Sequence, residues 1–243
     1  LGPAIAAGIV LSISGESLRG WLRRVVRWRV HPKWYAAAIG VPVIVALGSG
    51  AVLQLVGGPV EFASFAFDPV SLGIGILLGT TIGGGQEELG WRGFAQPELQ
   101  EQYGGLRAAV IVGVLWGSWH LPLFFDPTVI HSQWPLQSQL AYFVGIVAFS
   151  ILIAWVYNGS GGSILLAMLM HGAENAAGGL VPLDLERAIV EGVPDWVALA
   201  PMNVSHAVFM WLLALVAIGA TGTGLLARRE MRERRDSSTT RGV

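Results

Sequence analysis

No cysteine occurs in the 243 residues. That excludes disulfides, thiolate metal sites and a cysteine nucleophile. Charge is scarce too: Asp, Glu, Lys and Arg make up 13% of the chain, about half of the roughly 25% usual in soluble domains. No HExxH occurs, which disfavours a zincin. No Asp lies in the four central apolar runs, which disfavours a membrane aspartyl protease. The only Gly-x-Ser-type candidates are Ser118 and the loop 159–163, where Gly and Ser are ordinary loop composition. The chain lacks an initial Met and opens inside an apolar run without a basic leader. This reads as an N-terminal truncation rather than a complete signal peptide.

What is abundant is apolar. Hydrophobic residues reach 53%, mean hydropathy is +0.59 and Gly contributes 33 residues, a residue favoured in membrane helices. The expected fold is all-α, a polytopic membrane helix bundle of about seven spans forming one membrane domain over 1–243. The apolar segments are 2–14, 34–56, 70–89, 105–125, 138–157, 163–181 and 205–227. About 20 apolar residues cross a bilayer, so the first is clipped or half-inserted.

Basic residues set the orientation. Arg19, Arg23, Arg24, Arg27, Arg29 and Lys33 stand in one stretch, and Arg228, Arg229, Arg232, Arg234, Arg235 and Arg241 in the tail, together twelve of the 15 Lys and Arg. Both stretches are expected on the cytoplasmic side of a prokaryotic plasma membrane, with 228–243 a disordered tail. Loops 57–69, 126–137 and 182–204 then fall outside. Trp21 and Trp28 among the arginines fit an amphipathic helix at the inner surface, or an ordinary basic loop.

Charge inside a membrane helix costs about 2.5–3.5 kcal/mol on insertion scales, so such residues are candidates for function. Glu87, Glu88, Arg92, His120, His171, Glu174 and the polar Asn175 lie in or beside the apolar runs. Glu88 and Arg92, Trp116 and His120, and His171 and Asn175 are each four apart, so each pair shares a helical face. Taken singly they read as an ion pair and as interhelical hydrogen bonds, Gly83–Gly84–Gly85 as close packing, and Glu174 as paired or at the outer interface. Together they exceed what packing needs. A carboxylate beside a histidine can deprotonate water, and a histidine with an asparagine amide can stabilise an oxyanion. That machinery hydrolyses an amide without a covalent intermediate.

The run Glu87-Glu88-Leu89-Gly90-Trp91-Arg92 resembles the EExxxR signature of the CAAX-processing and bacteriocin-processing (CPBP) intramembrane proteases, which include the Ras-converting endopeptidases. Trp116 to His120 resembles their aromatic-xxx-His motif, with Trp where Phe is common, and His171 to Asn175 their HxxxN motif. The resemblance spans 70–180, the expected catalytic core. It implies metal-independent glutamate peptidase chemistry with no cofactor: Glu87 and His120 activating water, His171 and Asn175 forming the oxyanion site, and Glu88 and Arg92 supporting the glutamate. The expected partners are a peptide or protein substrate and the bilayer, not nucleic acid. The cavity is expected near mid-membrane, open to the cytoplasm. Two other classes fit the same residues. One is a metal-dependent membrane hydrolase using Glu87, His120, His171 and Glu174; the other is a non-enzymatic transporter or bacteriocin-immunity scaffold.

Overall fold

The computed structural model describes residues 2–14, 17–190 and 193–225. The basic tail 228–243 lies outside the described residues. The described chain is a helical bundle, α1 (Gly2–Ser14), α2 (Leu18–Val25), α3 (Pro32–Leu55), α4 (Pro69–Thr81), α5 (Glu88–Gly90), α6 (Gln96–Tyr103), α7 (Gly105–His120), α8 (Leu136–Gly159), α9 (Ile164–Ala177), α10 (Leu185–Ala188) and α11 (Trp196–Thr221). A two-residue ladder, β1 (Ile189–Val190) with β2 (Val193–Pro194), interrupts the α character between α10 and α11.

Among the described residues four helical stretches are long and apolar enough to cross a membrane: Pro32–Leu55, Gly105–Phe124, Leu136–Gly159 and Trp196–Thr221. Each expected apolar segment contains a helix, but α1, α4 and α9 run only 13, 13 and 14 residues. The segment expected as a span over 70–89 stops at Thr81. The glycine run breaks it, since Gly84 takes φ +126°, a conformation that L side chains rarely adopt. The chain resumes as a 3₁₀ turn at Gly85–Glu87, α5, a π-helical turn at Trp91–Ala95 and α6. The last span begins earlier than the expected 205, because Asp195 accepts from the N–H groups of Val197 and Ala198 and caps α11 there.

α8 is the central helix. Ile151, Leu152, Ile153 and Val156 are fully buried against α3, α7, α9 and α11. Apolar lipid drives little helix association, so close fit must do so. At the α4–α9 crossing a Cβ on Gly79 would stand 2.7 Å from the Gly172 carbonyl. Only glycine lets these backbones touch.

The bundle has two distinct ends. At one, Arg24 of α2 donates to the Tyr157 phenol and the Gly93 carbonyl, Arg27 donates to the Gly161 carbonyl, and Leu106 N–H at the start of α7 reaches Thr223 O. At the other, Asp184 N–H donates to Pro59 O, Arg187 to Gly57 O, and Trp196 to Gln133. The stretch 17–33 thus caps the end where α7 and α9 begin and α8 and α11 finish.

Candidate functional site

Glu88 and Arg92 are both fully buried. One Arg92 nitrogen spans both Glu88 oxygens at 3.1 and 2.9 Å; the other donates to the Ser150 hydroxyl at 2.8 Å and carbonyl at 3.0 Å. Ser150 Oγ in turn donates to Ala109 O at 2.7 Å. This joins the post-glycine segment to α8 and α7. Glu88 Oε1 also meets His171 Nδ1 of α9 at 2.9 Å.

Glu87 sits beside this cluster, 8% exposed, and accepts from the Trp116 indole N–H at 2.8 Å. His120 Nδ1 lies 2.8 Å from the Trp116 carbonyl. A carbonyl only accepts, so Nδ1 carries the proton and Nε2 is left to act. Asn175 Nδ2 donates to the Gly83 carbonyl. A Cβ on Gly84 would lie 2.7 Å from both Asn175 Nδ2 and His171 Nε2, so the glycine that bends the chain also leaves these two side chains room.

Glu87, His120, His171 and Asn175 line one cavity of about 420 Å³. Glu88 and Arg92 stand behind it, touching it through His171 and Trp116. Glu174 also lines it and is paired, its Oε1 2.6 Å from His206 Nε2 of α11. Sequence reading passed over His206 and Asn203, although an ionisable residue in an apolar helix was itself a sufficient signal. Ser150, Ser138 and Trp134 carried no such signal, since a serine or tryptophan in a membrane helix or its border is unremarkable in sequence. Among the described residues no three His, Asp or Glu side chains cluster as a metal would require.

From the reacting groups the cavity reaches His131, Trp134 and Ser138, in the connection after α7 and the first turn of α8, at the end opposite the basic stretch. The expectation put Glu87 at the inward tip of a continuous span. The glycine break instead folds Glu87 back among α7 and α9, and α7 carries His120 to the far end. Burial and the neighbouring His120 hold the His131 imidazole below its usual range.

Residues 69–177 match the family model described as type II CAAX prenyl endopeptidase Rce1-like. The chain is 34% identical over 147 residues to the CAAX prenyl protease 2 of Methanococcus maripaludis, an alignment covering 59% of this chain and 51% of that protein. The chain therefore spans about half the length of the curated relative it matches. The matched segment runs from the start of α4 to the end of α9 and holds both glutamates, Arg92, both histidines and Asn175. Over that segment the chain is similar to the Rce1-like type II CAAX prenyl endopeptidases.

Proposed function

We propose that this protein is an intramembrane endopeptidase that hydrolyses a peptide bond with water activated by Glu87 and His120. The observation that carries this is one cavity walled by Glu87, His120, His171 and Asn175 from three separate parts of the chain. Glu87 takes a proton from water as hydroxide forms its bond to the carbonyl carbon. The Nε2 of His120, its Nδ1 spent on Trp116, shares that proton and returns it to the leaving amine as the C–N bond breaks. The carbonyl oxygen, now negative, receives the second N–H of Asn175 and the Nε2–H of His171. His171 points Nε2 at the oxyanion while its Nδ1 is held 2.9 Å from Glu88. Arg92 holds Glu88 in place. Water is consumed, and one carboxylate and one amine are released.

The name of the archaeal relative makes a prenylated CAAX peptide the first substrate to try. The basic stretch 17–33 lies on the cytoplasmic face in this reading. The test is cleavage of a fluorogenic prenylated CAAX peptide and its unprenylated counterpart by protein in lipid nanodiscs, with and without chelator. Cleavage that survives chelation and disappears in Glu87→Gln is the expected result. Cleavage restored only by added zinc would move the site to the metal-dependent class. A folded protein that cuts neither peptide, with Glu87→Gln altering nothing else measurable, would favour the scaffold reading.

A further inference from the structure

The cavity reaches well beyond the groups assigned to bond cleavage, and its remaining wall, largely apolar, carries several unpaired polar atoms. Glu174 Oε2, His131 Nδ1, Trp134 Nε1 and Ser138 Oγ are all buried and have no hydrogen-bond partner within the protein. Buried polar groups are nearly always satisfied, so four on one cavity wall point to a ligand that satisfies them. Glu174 is held for that purpose: His206 fixes one carboxylate oxygen at 2.6 Å and leaves the other unmatched.

Ser138 belongs to α8, His131 and Trp134 to the connection just before it, and Glu174 to α9. The cavity face of α8 is Ser138, Ala141, Tyr142, Gly145, Ile146 and Phe149, recurring at helical spacing. Phe149 packs on His171, with ring centroids 6.1 Å apart, at the level of the cleavage groups. Gly145 lies at the level of Ala207, beside His206. Ser138, fully buried, marks the end nearest Trp134. From Ser138 to Phe149 is eleven residues, or about 16 Å at ~1.5 Å per residue. That length takes about five residues of extended chain at ~3.3 Å each.

We propose that this half of the cavity is a binding track for an extended segment of the peptide substrate on one side of the scissile bond. An extended peptide presents N–H and C=O groups alternately. The Trp134 indole can only donate and takes a carbonyl, the free Oε2 of Glu174 takes an N–H, and the Ser138 hydroxyl serves either. The inference rests on the peptidase reading and adds to it three specificity residues that make no contact with the reacting atoms.

The test separates binding from turnover. Acetylated, amidated Ala/Leu peptides of four to ten residues, lengthened one residue at a time on either side of a central bond, are titrated against Glu87→Gln protein in nanodiscs. Kd should fall with length on one side only and level off after about five residues. Ser138→Ala, Trp134→Phe and Glu174→Gln should each shrink that gain, by roughly two- to tenfold per lost hydrogen bond. Ser138→Ala guards against misfolding as the explanation: its hydroxyl bonds nothing in the protein, so thermal stability should hold or rise while the gain shrinks. Affinity independent of length, no binding at any length, or a gain that survives all three substitutions overturns the track. Length-dependent binding without cleavage by the Glu87 protein would sink the peptidase reading and leave the track standing. Cleavage without length dependence would do the reverse.

Discussion

The indole N–H of Trp116 donates to Oε2 of Glu87 at 2.8 Å. The carbonyl of the same residue lies 2.8 Å from His120 Nδ1, so one tryptophan holds both groups proposed to activate water. A phenylalanine could keep the second contact and the packing but not the first. Hydrogen bonds to charged groups contribute about 1.5–3 kcal/mol, so Trp116→Phe should lower kcat roughly 10- to 100-fold with little change in thermal stability. Unchanged kcat would show that Glu87 needs no such anchor.

Glu87→Gln and His120→Ala should each cut hydrolysis by about 10²–10⁴-fold while the protein still inserts and keeps its helical circular dichroism. Near-normal turnover in either variant would falsify the water-activation scheme.

Arg92 should resist even a conservative change. Its planar fork serves Glu88 with one arm and Ser150 with the other, a geometry lysine lacks. Arg92→Ala strands a fully buried carboxylate and should cost about 3–5 kcal/mol, read as a large fall in Tm in detergent together with loss of activity. Arg92→Lys should recover part of the stability and little of the activity. Full recovery of both by lysine would mean that charge alone matters.

Gly84→Ala addresses the glycine bend without replacing any of the proposed catalytic side chains. The new methyl would meet both Asn175 Nδ2 and His171 Nε2 at 2.7 Å and hold a backbone at φ +126°. Displacing oxyanion donors typically costs about 10²–10³-fold in kcat, and a fall of that order is expected. A variant retaining wild-type kcat would separate His171 and Asn175 from the oxyanion.

Access can be tested directly, because the chain contains no cysteine. Arg19 on α2 and Thr128 beyond α7 are both exposed and belong to opposite ends of the bundle. Single Arg19→Cys and Thr128→Cys variants in oriented vesicles should react with an impermeant thiol reagent from opposite faces, Arg19→Cys from the cytoplasmic one. Labelling of both from one face would overturn the two-ended arrangement. Thr128→Cys labelled only from the cytoplasmic face, with Arg19→Cys labelled only from outside, would reverse the orientation.

Composition and hydropathy already determine a helical membrane protein, because an apolar chain in lipid must satisfy its backbone internally. The i,i+4 pairs are equally legible, since helical periodicity alone sets them on shared faces. Other features depended on contacts between residues far apart in the chain. That α4 ends at Thr81 and folds Glu87 back required the packing of Gly79 on Gly172 and of Gly84 beside His171 and Asn175. No local signal tells a glycine run that breaks a helix from one that packs within it. Ser150 beneath Arg92, and His206 against Glu174, were decided by which helices lie side by side. The direction in which the cavity extends was decided the same way. Charge distribution locates the basic end of the bundle, but where the cavity opens depends on how far α7 carries His120 and which face α8 turns toward it, and only the assembled helices determine that.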